Sequence, residues 1–223
     1  MTDDSAAAQE TARILWHIKA VNFSPDKPFT FTSGRRSPVY VDCRKIISFP
    51  KERSRLMDMG VALIEREIGR ANLDAIAGGE TAGIPFAAWL AERLDLPMLY
   101  VRKKPKGFGR MAQIEGDMPE GWRVLLVEDL ATDAGSKLAF VKALREAGAK
   151  VADTFVIFHY GIFPASTESL KAIGVRLHAL ATWRDVLAEV RRGKLFDARA
   201  LDQVEGFLDD PDGWQAKHGG AAS

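Results

Sequence analysis

From residue 50 onward short apolar runs alternate with segments of helical period, and this alternation constrains the fold more than any other feature. "LDAIAGG", "MLYVR", "RVLLVED", "VADTFVIFHYG" and "VRLHAL" read as strands. Helical patterns precede and separate them. Met57, Val61, Ile64 and Ile68 fall at helical spacing. "GIPFAAWLAERL" carries Pro85 near its first turn, where a missing N–H does no harm. "SKLAFVKALREAGA" runs to near Gly148, and "STESLKAIG" is a shorter helix. Strands apolar almost throughout are buried on both faces, and strands separated by helices pair in parallel. The expected fold class is α/β, a mainly parallel central sheet flanked by helices. Such sheets bind ligands beyond the carboxyl ends of their strands. "IAGGETAG", "VRKKPKG" and "VEDLATDAGS" all lie at those ends.

The flanking segments read differently. Ile14, Leu15, Ile18 and Val21 predict an N-terminal helix. In "FTFTSGRRSPVYVDCR", Phe29 and Phe31 alternate with threonines, Ser33-Gly34 turns, and Val39 to Val41 resumes an extended pattern. That is a hairpin-like excursion. Residues 103–121 lack apolar periodicity and read as a long loop. Trp183 to Leu208 reads as helical, and the tail "KHGGAAS" is expected to fray. The expected organisation is one domain in three parts, residues 1–49, 50–182 and 183–223.

Composition narrows the function classes. A chain of 223 residues with 47% hydrophobic content can bury one sizeable core. A net charge of +1 gives no overall field favouring nucleic acid or membrane. No apolar run approaches the roughly 18 residues needed to span a bilayer. "MTDDSAAAQE" is acidic and lacks an apolar signal core. One cysteine, Cys43, excludes an intramolecular disulfide framework and suits a reducing compartment. The expectation is a soluble cytoplasmic protein, with Cys43 a buried inert thiol. His17, His159, His178 and His218 lack metal-ligand spacing and read as structural or surface residues. The tryptophans read mostly as packing residues.

The chemistry concentrates in "RVLLVEDLATDAGSK". Four apolar residues run into Glu128 and Asp129. Carboxylates cannot lie deep in a core without partners, so they belong at its rim, where hydroxyls can hydrogen-bond them. The small residues that follow let the backbone curl. Their N–H groups, with the Thr132 and Ser136 hydroxyls, can converge on an anion at the start of the next helix. A sugar phosphate meets both demands. The alternative is an ordinary helix start, with Asp133 or Ser136 capping and both carboxylates solvated. The residues alone leave the two readings open.

The same stretch resembles the phosphoribosyl pyrophosphate (PRPP) signature of the type I phosphoribosyltransferases. The resemblance implies that Glu128 and Asp129 bind the ribose hydroxyls. It also implies that Leu130, Ala131, Thr132, Asp133, Ala134, Gly135 and Ser136 form the 5′-phosphate loop. Ala134 stands where the family often has glycine. "FTSGRRSPVYVD", "GGETAGIP" and "VRKKPKGFGRMAQIEG" precede it in order, and together the four segments resemble the orotate phosphoribosyltransferase family. The likeness covers roughly residues 29 to 137. It implies an N-terminal hood against which the base packs, with Tyr40 and Thr132 as orotate contacts. It implies a basic loop over pyrophosphate, with Arg102, Lys103 and Lys106 binding PRPP. Asp129, Glu128, Lys103 and Lys106 would be the catalytic set. Mg²⁺ would be held mainly by the substrate rather than by protein ligands, and the enzyme would be a homodimer sharing its basic loop across subunits. The chain departs from the family at Gly107-Phe108, often Asp-His. It departs at Ala82, often lysine, and at His159-Tyr160, near an Asp-Arg pair of many members.

Competing motifs are weaker. "GFGRMA" fits a dinucleotide-binding pattern, but no helix can follow it through Gly116 and Pro119. "DAGSK" resembles the end of a P-loop without its first glycine. A purine-base phosphoribosyltransferase would share the PRPP stretch without needing the hood. A non-enzymatic PRPP-binding regulator on the same fold is the other alternative. Against it, the sequence shows neither a helix-turn-helix extension nor a broad basic face.

Overall fold

The computed structural model describes residues 3–31, 34–109, 111–132 and 134–218. The chain divides into two compact units, Met1–Phe49 with Ala181–Ser223, and Pro50–Leu180.

The first unit opens with helix α1 (Asp3–His17), which buries Ala12 and Leu15. The helical pattern reaches to Val21, but the helix does not. Lys19 adopts a left-handed φ of 55°, and Val21 enters strand β1 (Val21–Phe23). Strand β2 (Phe29–Thr30) and strand β3 (Arg36–Ser37) form the expected hairpin, with Phe29 opposite Ser37. Gly34 supplies a φ of 80° between them, while Ser33 lies outside the described residues. Strand β4 (Val39–Val41) leaves the hairpin and pairs antiparallel with β1.

The second unit begins with helix α2 (Pro50–Glu67), then strand β5 (Ala75–Gly79) and helix α3 (Gly83–Leu94). Strands β6 (Met98–Val101) and β7 (Ile114–Glu115) follow. Next come β8 (Val124–Ala131), helix α4 (Gly135–Glu146) and β9 (Asp153–His159). Helix α5 (Pro164–Ala172) and β10 (Arg176–Thr182) complete it. The sheet order is β10-β9-β8-β5-β6-β7. β5 is parallel to both β6 and β8, and β8 is parallel to β9. β7 runs antiparallel to β6. It corrects the expected long loop: residues 102–113 form an excursion closed by two paired strands. Two residues are too few to display a period, so the sequence could not reveal β7.

Two apolar layers hold this sheet. Phe140, Val141 and Leu144 of α4 pack with Leu126, Ala77 and Leu99 on one face. On the other, Phe155 reaches Gly60 of α2, where an added Cβ would sit 3.0 Å from the ring. Each buried Phe or Leu contributes roughly 1.5–3 kcal/mol.

The chain then returns to the first unit. The expected helical run from Trp183 to Leu208 is two helices, α6 (Trp183–Arg192) and α7 (Ala198–Asp209), and a further helix, α8 (Pro211–His218), follows it. Thr182 and Asp185 close a capping box on α6. Lys194 at φ 51° breaks the run, and the Asp197 carboxylate caps α7 by accepting from the Ala200 amide. Of the tail expected to fray, Lys217 and His218 belong to α8, and Gly219–Ser223 lie outside the described residues. Trp16, Phe23, Trp183 and Phe196 form an aromatic cluster, with neighbouring centroids 5.6–6.2 Å apart. Cys43 is buried.

Candidate active site

Val124 to Val127 of β8 are buried, and the strand stays regular through Ala131. Its two acids meet different fates, because successive side chains face opposite sides of a strand. Glu128 turns toward α4 and is 7% exposed. Its Oε2 accepts from Lys137 Nζ at 2.6 Å and from Ser136 Oγ at 3.0 Å. Lys137 is 2% exposed, and its Nζ also donates to the Leu130 carbonyl at 2.7 Å. Glu128 is therefore neutralised inside the protein rather than solvated at the rim. Nor does Ser136 cap the helix, since its hydroxyl is spent on Glu128 and the cap position, Ala134, makes no side-chain bond. Ala134 sits at φ −92°, ψ −1°, a conformation that alanine adopts without strain. The other candidate cap, Asp133, lies outside the described residues.

Asp129 has no ion-pair partner among the described residues. Burial pushes its carboxyl above the usual range, and the neighbouring Glu128 charge adds to the rise. A carboxylate in that position gains from a hydroxyl donor.

Glycines bring the strand ends together. A Cβ on Gly78 would meet the α3 backbone at Ile84, 2.7 Å away. One on Gly79 would lie 2.7 Å from Phe140 and 2.9 Å from Glu128 Oε1. At Gly83 it would run into the Val127 carbonyl, so only glycine lets α3 start against β8.

β6 ends in the basic stretch. Arg102 pairs with Glu115 of β7 at 3.2 Å. The Lys103 amide donates to Glu80 Oε2 at 2.7 Å, and the Glu80 amide donates to the Val101 carbonyl at 2.9 Å. Glu80, which follows β5 and precedes a cis peptide to Thr81, thus ties the turns after β5 and β6 together. The Lys106 amide donates to the Ala112 carbonyl at 2.7 Å. Lys103, Lys104 and Lys106 are exposed and form no ion pair with a described residue. Phe108 is fully exposed.

The sheet order sets these pieces side by side. Glu128 to Thr132 and Ala134 to Ser136 gather where β8 passes into α4. Arg102, Lys103 and Lys106 gather beyond β6, with the end of β5 between. Tyr40 lies in the first unit, opposite Asn22, its ring 5.4 Å from Phe29. Sequence reasoning missed Lys137 and Glu80. The signal for Lys137 was its place on the buried stripe with Phe140, Val141 and Leu144, where a lysine requires a carboxylate. At the departure after β9, His159 lies opposite Ala131, and its Nε2 meets Ser166 Oγ at 3.1 Å. Ser166 donates to the Phe163 carbonyl, so the ring donates to Ser166. Burial, then the Lys137 charge, lowers the His159 pKa and favours the neutral ring.

Residues 55–173 match the family described as "Phosphoribosyl transferase domain". The chain is 61% identical over 208 residues to the orotate phosphoribosyltransferase of Cereibacter sphaeroides, covering 93% of this chain and 90% of that protein. It is 55% identical over 221 residues to that of Agrobacterium fabrum, covering 99% and 95%. The chain belongs to the orotate phosphoribosyltransferase family. Among solved structures, orotate phosphoribosyltransferase from Aeropyrum pernix is 33% identical with a TM-score of 0.70, covering 83% of this chain and 99% of that one. The fold expected from the sequence, a type I phosphoribosyltransferase core with a mainly parallel sheet, is the fold found.

Proposed function

We infer that this pentosyltransferase transfers ribose 5-phosphate from PRPP to orotate, giving orotidine 5′-monophosphate and pyrophosphate in de novo pyrimidine synthesis. Family membership across nearly the whole chain carries the reading. Orotate N1 attacks the anomeric carbon as the bond to pyrophosphate breaks; pyrophosphate leaves with the bonding electrons, and the N1 proton passes to the departing pyrophosphate or to water. The transition state has oxocarbenium character by analogy with the family. Asp129, without an ion-pair partner among the described residues and beside Glu128, is suited to hold the ribose hydroxyls and to favour the developing positive charge. Residues 130–136 serve the 5′-phosphate at the start of α4. Arg102, Lys103 and Lys106 serve pyrophosphate, and the absence of counter-ions for the two lysines among the described residues supports this. Tyr40 and Thr132 are our candidates for the base. Residues 50–182 would carry the PRPP chemistry and residues 1–49 the hood.

Among the described residues no three His, Cys, Asp or Glu side chains converge on a metal position. Oxygen donors of PRPP and water suit Mg²⁺, so the substrate would be its main holder. When bound, the ion neutralises charge on the leaving group. Small-molecule substrates, with neither nucleic acid nor membrane, fit a net charge of +1. Among the described residues no helix is long and apolar enough to cross a membrane. We place the enzyme in the cytoplasm.

We also read the enzyme as a homodimer in which Arg102 and Lys106 serve the partner subunit's site. Mixing Lys106→Ala and Asp129→Asn subunits puts both lesions on one composite site and leaves the other whole. With exchange confirmed by native mass spectrometry, activity should recover to roughly a quarter of wild type, since about half the dimers are mixed. No recovery would return the loop to its own subunit. Substrate identity is tested by ultraviolet assay of orotate, hypoxanthine, xanthine and uracil with PRPP and Mg²⁺. Orotate alone should be consumed, and turnover of a purine instead would overturn the function.

A further inference from the structure

The β2–β3 hairpin has two residues per strand, too few to hold its shape without outside support. Helix α8, at the other end of the chain and in the same unit, supplies that support. The Arg36 amide donates to Gln215 Oε1 at 3.0 Å, and Gln215 Nε2 donates to the Arg36 carbonyl. One side chain thus satisfies both backbone groups of one strand residue, as a neighbouring strand would. Gln215 is 4% exposed, so its amide has little recourse to water if the hairpin shifts, and an unmet buried amide is costly. Two further bonds flank it. Arg36 Nη1 donates to the His218 carbonyl at 2.7 Å, and Arg35 Nη2 donates to Asp212 Oδ1 at 2.7 Å. Asp212, Gln215 and His218 recur every three residues, which places them near one face of α8.

The helix is itself anchored. The His218 ring stacks on Trp214 at 3.8 Å, and its Nδ1 meets the Trp214 carbonyl at 2.8 Å. Trp214 packs edge-on against Phe207 of α7 at 5.3 Å. A chain of contacts therefore runs from the packed C-terminal helices through Gln215 into the backbone of β3.

We propose that Gln215 is a positioning residue for the base: by holding the Arg36 backbone it fixes the hairpin in the conformation that binds orotate. The proposal rests on reading this segment as the base-facing hood. It assigns the C-terminal helices a part in substrate recognition beyond packing. Because both of these Gln215 side-chain hydrogen bonds go to the Arg36 backbone, its loss should loosen the hairpin and leave the KM for PRPP nearly unchanged.

The test compares Gln215→Met, which keeps length but loses both hydrogen bonds, with Gln215→Glu, which keeps the acceptor for the Arg36 amide and loses the donor. Tyr40→Phe serves as a direct probe of the hood. For Gln215→Met the KM for orotate should rise on the order of tenfold, with kcat and the KM for PRPP within about twofold of wild type. Gln215→Glu should fall between, and amide hydrogen exchange across residues 29–37 should quicken in both. Equal shifts in both KM values would make Gln215 merely structural and overturn the proposal. An unmoved orotate KM in both Gln215 variants, beside a raised one in Tyr40→Phe, would overturn the proposal and spare the hood. An unmoved orotate KM in all three would sink both. If Gln215→Met does not fold, Gln215→Glu alone decides by the same split.

Discussion

Two stretches leave the carboxyl end of the same sheet, and they are built oppositely. After β8, the charged groups are folded inward: Glu128 is buried against Lys137, Ser136 is tied to Glu128, and Asp129 is half-buried beside them. After β6, Lys103, Lys104 and Lys106 stand in solvent, and the excursion is held at its base by the Arg102–Glu115 pair, the Lys103 amide on Glu80, a few backbone bonds and a two-residue strand. The difference matches what each would hold. The 5′-phosphate keeps its charge through the reaction and the sugar most of its shape, so a fixed cradle suits them. Pyrophosphate must be gripped as charge develops and then released, which suits exposed cations on a lightly tethered loop.

The contrast can be broken most severely at Lys137. Lys137→Met leaves Glu128 buried without its counter-ion, and urea unfolding should show a loss of about 3–5 kcal/mol. Adding Glu128→Gln should recover most of it. A loss under about 1 kcal/mol would mean that the pair is no structural keystone. Next is Asp129→Asn, which removes a charge that burial disfavours. Turnover should fall on the order of a hundredfold while stability holds or rises. Unchanged turnover in a folded variant would return Asp129 to the solvated rim. The smallest effect is in the pH dependence. The folded state resists protonating His159, so below its ordinary value of 6.5 the unfolded chain takes up the proton more readily. His159 thus contributes stability above that pH that is lost as pH falls. Urea midpoints measured from pH 8 to 5 should decline less in His159→Gln than in wild type, and parallel curves would show that the ring does not couple to folding.

The sheet and the ends of its strands were legible because Val, Ile and Leu runs punctuated by glycine report burial directly. "VLLVED" announced β8 and its acids. What stayed hidden depends on contacts between distant residues. Nothing in "GSK" says that Lys137 folds back onto Glu128 nine residues earlier, although a lysine on the apolar stripe of α4 hinted at it. The Asp212, Gln215 and His218 row is likewise mute without Arg35 and Arg36, which lie far away in sequence. β7 was too short to show a period, and Lys19 and Lys194 stopped helices with left-handed backbone that lysine does not signal.

The division of labour itself is tested most directly by calorimetric titration of two fragments of PRPP, ribose 5-phosphate alone and pyrophosphate with Mg²⁺. The enzymes compared would be wild type, Asp129→Asn and the Lys103→Ala/Lys106→Ala double variant. The inward-built cradle predicts that Asp129→Asn weakens ribose 5-phosphate by roughly tenfold and spares pyrophosphate, while the double variant does the reverse. Equal weakening of both fragments by either variant would contradict the account.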